Sequence, residues 1–219
     1  IIAEFKRKSP SGGELGYRPS VESVSIGYMQ AGASALSVLT DQQFFGGSYQ
    51  DLKVARTYNY CPILCKDFIL DRYQLHEARS YGADAVLLIA AVLERQHLSE
   101  LMHEAQELGM ETIVEIHARD ELGKVDPATN ILGVNNRDLT TMATSSEISR
   151  EIAPDLPAGP LRISESGLKT AREIIDLREL GYQGFLIGSY FMQSGDPKGA
   201  CQELVTAVQT ALTQTIEIQ

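Results

Sequence analysis

The stretch PILCKDFILDRYQLHEARSYGADAVLLIA, residues 62–90, holds one complete strand–helix–strand unit. PILCKDF (62–68) is a short apolar run that turns charged at its end, DRYQLHEARSYGA (71–83) spaces its apolar residues three and four apart, and AVLLIA (85–90) is a second apolar run. Gly82 stands where a helix of this kind stops in a left-handed turn. Two apolar strands joined by a helix run parallel, because the helix carries the chain back to the starting end.

The same unit recurs along the chain. Strand-like runs occur at IIAEF (1–5), ALSVLT (35–40), ETIVEI (111–116), ILGVNN (131–136), LRISES (161–166) and FLIGSY (185–190), which with the opening pair makes eight. Between them lie helical patterns such as ERQHLSELMHEAQELG, KTAREIIDLRELG and PKGACQELVTAVQTAL, and Gly32, Gly109 and Gly181 repeat the stop signal of Gly82. Eight strand–helix repeats at intervals of about 20 to 30 residues predict a closed (β/α)8 TIM barrel. An open doubly wound sheet would carry a GxGxxG first turn, which is absent. With no linker or low-complexity segment, the expectation is a single barrel domain over residues 1–219. One irregularity is expected: Gly123 and Pro127 in ARDELGKVDPATN predict a short or frayed fifth helix.

Composition bounds the function. A 43% hydrophobic chain supplies a proper core, and a net charge of −10, from 29 acidic and 19 basic residues, argues against nucleic-acid or membrane-surface partners. The absence of an apolar run of about 18 residues or more argues against a spanning helix, and the chain start is neither a signal peptide nor a transit segment. Cys61, Cys65 and Cys201 read as reduced core thiols, so a reducing, cytoplasmic setting is expected. His76, His97, His103 and His117 show no paired metal-ligand spacing; the first three read as surface helix residues and no metal site is expected.

Charges gather at strand ends. Strand one ends in Glu4, Lys6 and Lys8, strand three in Lys66 and Asp67, strand five in Glu115, strand six in Asn135, Asn136 and Arg137, and strand seven in Glu165 and Ser166. In a barrel of this class the C-terminal strand ends meet in one mouth, so residues far apart in sequence converge there. Alternation would point Glu4, Lys6 and Lys8 one way and Arg7 the other, provided the first strand stays regular that far. Glycine-rich turns add a second constellation: SESG (164–167), IGSY (187–190) and SPSGG (9–13) with Lys8 follow strands seven, eight and one, which are neighbours around the barrel, and describe a pocket for phosphate or another small dianion.

IIAEFKRKSPSGG, ALSVLTDQQFFGGS, PILCKDFILDRYQLHEARSYGADAVLLI, IVEIH, GVNNRDL, ISESG and FLIGSYFM, in this order, resemble the indole-3-glycerol-phosphate synthase family over essentially the whole chain. The resemblance implies a (β/α)8 enzyme that closes the indole ring of 1-(2-carboxyphenylamino)-1-deoxyribulose 5-phosphate with loss of carbon dioxide and water, using no metal or organic cofactor. On the matching positions it implies Lys66 as the acid for ring closure, Lys6 and Glu115 as acid and base for dehydration with Glu4 tuning Lys6, and Asn135 and Glu165 as positioning groups. How the acid role divides between Lys6 and Lys66 stays open. Lys6 and Arg137 would hold the substrate carboxylate; Lys8, Ser9, Ser166, Gly167, Gly188 and Ser189 its phosphate; Phe68, Leu87 and Leu139 its ring. KDFILD and DQQFFGG read as loops over the mouth, with Gly46 and Gly47 allowing movement.

The family carries a further segment with an extra helix ahead of the first strand. This sequence starts at Ile1, so either it begins inside a longer protein or that segment has been lost. The expected partner is a small phosphorylated substrate, and the expected state a monomer. A phosphoribosyl-isomerase-like barrel or a non-catalytic metabolite-binding barrel would share the anion pocket, but neither calls for two mouth lysines beside Glu115.

Overall fold

The computed structural model describes residues 1–9, 13–14, 18–138, 141 and 143–216. Eight parallel strands close into a barrel: β1 (Ile2–Phe5), β2 (Ala35–Leu39), β3 (Ile63–Lys66), β4 (Ala85–Ile89), β5 (Glu111–Ile116), β6 (Ile131–Asn135), β7 (Leu161–Glu165) and β8 (Gly184–Ile187). Each pairs with the next, and β1 closes on β8 with Ile2 opposite Leu186. Around them run α1 (Val21–Gln30), α2 (Tyr49–Tyr58), α3 (Arg72–Ser80), α4 (Arg95–Glu107), α5 (Glu147–Ile152), α6 (Ala171–Glu179) and α7 (Pro197–Ile216). The fifth connection is a short 3-10 segment, Arg119–Lys124, as the glycine and proline there predict. Gly32, Gly82, Gly109 and Gly181 all close their helices with φ between +72° and +96°.

Strand alternation builds two cores from one set of strands. Leu64, Leu87, Ile89, Ile113, Ile163 and Leu186 fill the inside of the barrel. Residues one position away, among them Cys65, Val86, Leu88, Val114 and Ile187, face outward into the larger core beneath the helices. Continuing each inward row by two residues reaches the mouth: Leu64 leads to Lys66, Ile113 to Glu115, Ile163 to Glu165 and Leu186 to Gly188. The hydrophobic layers therefore end under a polar one, and the same period of two that buries the apolar residues aims the charged ones.

The structure corrects one strand boundary and shows where the alternation of the first strand ends. β1 stops at Phe5, and Lys8–Ser9 pairs antiparallel with Gly13–Glu14 in a separate two-stranded hairpin. The cause is Arg7, which points away from the mouth as alternation predicts. Its guanidinium lies 5.0 Å from the Phe5 ring centroid, donates to both Asp51 carboxylate oxygens at 2.5 and 2.7 Å, and reaches the Gly46 carbonyl at 3.1 Å. That fork ties the chain leaving β1 to the first turn of α2, and the Gly46 contact ties it to the loop before that helix. At the other end, β8 stops at Ile187 and Ser189–Gln193 is already helical, not extended. Cys65 and Cys201 are buried thiols and Cys61 is half-buried. Among the described residues, no helix is long and apolar enough to cross a membrane.

Candidate active site

The polar layer opens into a cavity of about 200 Å³ at the C-terminal ends of the strands. Glu4 and Lys6 enter it from β1, Lys66, Asp67 and Phe68 from β3, Leu87 from β4, and Glu115 and His117 from β5. Asn135 and Arg137 come from β6, Ser166 and Gly167 from β7, and Gly188 and Ser189 from the turn after β8. Glu165, fully buried, stands behind this wall on β7 and touches the cavity through Lys66. One expected phosphate residue stands apart. Lys8, carried off on the hairpin, is not among the lining residues, because β1 ends before it can follow Glu4 and Lys6 inward. The Ser9 side chain and Leu139 lie outside what the structure describes.

The charged groups form one chain of contacts. Lys6 Nζ donates to Glu4 Oε1 at 2.8 Å; Lys66 Nζ lies 3.3 Å from Glu4 Oε2 and donates to Glu165 Oε2 at 2.9 Å. Glu115 Oε2 accepts from Asn135 Nδ2 at 3.0 Å, and Asn135 Oδ1 accepts the Arg137 backbone N–H at 3.0 Å. Burial pushes the Glu4 carboxyl up, but the two ammonium groups beside it prevail and bring it down to about 2. Burial would also strip Lys66 of its proton; Glu165, Glu4 and Glu115 reverse that and hold it as a cation. Glu115 has no ammonium in direct contact, and burial raises it against the pull of Lys66. Glu165 is raised to about 7 by burial and the nearby Glu115, although Lys66 opposes the change.

The Glu4 shift gives a stability prediction with a definite sign. Its folded pKa lies below the ordinary 4.5, so its contribution is full above that value and is lost as pH falls toward about 2. Acid unfolding followed by circular dichroism should therefore show a shallower slope across this window for Glu4→Gln than for the unchanged protein.

A family model described as indole-3-glycerol phosphate synthase matches residues 1–204. An indole-3-glycerol phosphate synthase of Bacteroides thetaiotaomicron is 46% identical over 209 residues, covering 95% of this chain and 80% of that one. The chain belongs to the indole-3-glycerol phosphate synthase family. A further synthase, from Carboxydothermus hydrogenoformans, is 44% identical over 94% of this chain and 78% of its own length. Among solved structures, a 3-hexulose-6-phosphate synthase from Salmonella typhimurium superposes with a TM-score of 0.71 at 13% identity, covering 95% of this chain and 97% of that one. A thiamine phosphate pyrophosphorylase from Pyrococcus furiosus follows at 0.67 and 17%, with 96% and 95% covered. At such identities the likeness is one of fold.

Within this indole-3-glycerol phosphate synthase chain, three residues of the mouth make contacts that the sequence did not signal. His117 is the first: its side chain is nearly buried, with Nε2 3.3 Å from Glu115 Oε1, and burial lowers its pKa, so it is a neutral neighbour of that carboxyl. Only its place two residues after Glu115, on the same face of the strand, could have pointed to it. Asn136 is the second. Wholly buried, it donates to Ser164 Oγ at 3.0 Å and to the Ser166 carbonyl at 3.1 Å, and accepts the Ser149 N–H at 3.1 Å. It thereby braces the turn in which Ser166, with φ of 70°, adopts a left-handed conformation that costs a side-chain-bearing residue about 1–2 kcal/mol.

The third is Gly188. A Cβ there would stand 2.4 Å from Glu4 Oε1 and 2.8 Å from Glu4 Cβ, so the residue must be glycine for Glu4 to keep its place between the two lysines. Gly188→Ala is expected to push Glu4 aside and lower kcat by about 10²-fold, the usual effect of a small misplacement among reacting groups. Steady-state kinetics checks this, with the thermal midpoint showing that the barrel still folds.

Proposed function

We propose that this mouth converts 1-(2-carboxyphenylamino)-1-deoxy-D-ribulose 5-phosphate to indole-3-glycerol phosphate, as a carbon–carbon lyase that releases carbon dioxide and water. The observation that carries the reading is the shared carboxylate: Lys6 and Lys66 both contact Glu4 at the edge of a single cavity that also contains Glu115. Two cations held a few ångströms apart over an apolar floor suit a substrate that brings a carboxylate, a carbonyl and a phosphate together.

In the first step the ring carbon bearing the carboxylate attacks the sugar carbonyl. The new carbon–carbon bond forms as the carbonyl π electrons move to oxygen, and Lys66 supplies the proton that makes it a hydroxyl. The bond to the carboxyl group then breaks, its electrons restoring the aromatic ring as carbon dioxide departs. In the second step the hydroxyl leaves as water on a proton from Lys6, and Glu115 takes a proton from the neighbouring ring carbon, whose electrons form the double bond of the five-membered ring. Glu4 keeps both ammonium groups in register, Asn135 orients Glu115, and Glu165 holds Lys66 from behind.

Lys6 and Arg137 hold the substrate carboxylate until it leaves, while Ser166, Gly167, Gly188 and Ser189 receive the phosphate, with Lys8 and Ser9 as outer contributors. Phe68 and Leu87 flank the aromatic ring; Phe68 also meets Phe44 and Phe45 at centroid distances of 6.0 and 6.3 Å. The chain is read as a monomer of the cytoplasm. Adding the carboxyphenylamino-ribulose phosphate to purified protein tests the function: the chain has no Trp, so a rise in indole fluorescence reports product directly. Binding without that rise would leave a metabolite-binding barrel.

A further inference from the structure

Three carboxyls and two ammonium groups share the buried layer of the mouth. Glu4 and Lys6 come from β1, Lys66 from β3, Glu115 and the neutral His117 from β5, and Glu165 from β7, with Asn135 and Arg137 above them on β6. Glu4 is matched by both lysines and Glu165 Oε2 by Lys66, but Glu165 Oε1 is buried without a hydrogen-bond partner. A dry carboxylate oxygen with no donor is costly, and protonating it removes the cost if an acceptor is near. Its surroundings identify that acceptor. Oε1 occupies the space a side chain on Gly133 would fill, since a Cβ there would stand 2.4 Å from it. Gly133 is in turn the register partner of Glu115 on the adjacent strand, so Glu165 Oε1 lies beside the Glu115 position, close enough for each carboxyl to shift the other's proton affinity.

We propose that Gly133 is a positioning residue whose missing side chain lets Glu165 reach Glu115, so that the two carboxyls hold a single proton between them. Charge balance agrees: with one proton shared, two ammonium groups face the Glu4 carboxylate and one negative charge on the pair, and the buried layer is neutral. A carboxyl pair of this kind titrates as a unit, in two separated steps. Its singly protonated form leaves Glu115 ionised but clamped by the Glu165 O–H, as a base should be before substrate arrives. Glu165 then serves Lys66 with one oxygen and Glu115 with the other, linking the acid of the first step to the base of the second. This extends the assignment of Glu115 as the base and rests on it.

Carbon-13 NMR of the ligand-free protein, labelled at the glutamate side-chain carboxyl carbons, tests the pairing without reference to turnover. The expected result is a carboxyl titrating near 7 that moves by at least about one pH unit in both Glu115→Gln and Gly133→Ala. Should Gly133→Ala fail to fold, the nearly isosteric Glu115→Gln and Glu165→Gln carry the test, each abolishing the coupled step. A spectrum with no carboxyl titrating above the ordinary range, or one unmoved by Glu115→Gln, overturns the proposal. The basic limb of kcat/KM should also shift upward in Glu165→Gln, where an amide N–H replaces the shared proton permanently. A coupled titration in a protein whose Glu115→Gln variant keeps full turnover would support the pair while removing Glu115 as the base.

Discussion

Replacing Lys66 by alanine is expected to lower kcat by about 10³-fold, the middle of the range for losing a positioned acid. The size follows from what Lys66 does in the charge network. Its ammonium sits between Glu4 and Glu165, at 3.3 and 2.9 Å, and these carboxylates keep it protonated against burial. A cation fixed in this way needs no reorganisation when negative charge develops on the attacked carbonyl oxygen, which is where preorganised groups contribute most. Removing it deletes the proton source and leaves the Glu4 carboxylate repelling the incoming oxygen. The turns at Ser166–Gly167 and Gly188–Ser189 are untouched, so KM should change far less than kcat. Steady-state rates of indole appearance check both quantities; a raised KM with kcat unchanged would reduce Lys66 to a binding residue.

Glu115→Gln should cost about 10² to 10⁴ in kcat, with a different signature. Gln keeps the shape and can still accept from Asn135, so the mouth stays assembled. Only the proton-accepting step is lost. Ring closure and decarboxylation precede that step, so the variant should release about one carbon dioxide per site rapidly while indole appears slowly, leaving a ring-closed, hydroxyl-bearing intermediate detectable by mass after rapid quenching. Carbon dioxide and indole slowing together would place Glu115 in the first step.

How much of this was legible beforehand depends on the range of the interaction. The eight strands were readable because each is a local apolar run, and the mouth residues because a period of two carries Leu64 to Lys66 and Ile113 to Glu115 without reference to anything distant. The fifth connection was readable from Gly123 and Pro127. That Lys8 would leave the cavity wall was not legible, because the turn after β1 is held by Arg7 reaching Asp51, a contact between residues in different units. Gly133 and Gly188 were harder still. Gly188 was expected only as part of a phosphate turn and Gly133 not at all, because the close approach at each comes from oxygen atoms of Glu4 and Glu165 that arrive from neighbouring strands. His117 was hidden for a related reason, since a lone histidine after a strand glutamate has no motif, and its closeness to that carboxyl is a matter of side-chain geometry.

The convergence of these groups on one bound molecule is the claim from which the rest follows. It is tested most directly by a crystal structure of the protein with the substrate's carbonyl reduced to an alcohol, which binds but cannot close. The account predicts the alcohol oxygen within hydrogen-bonding distance of Lys66, the ring carboxylate between Lys6 and Arg137, and the phosphate against Ser166–Gly167 and Gly188–Ser189. A ligand lying with its phosphate toward Arg137, or with Lys66 and Glu115 facing different molecules, would contradict it.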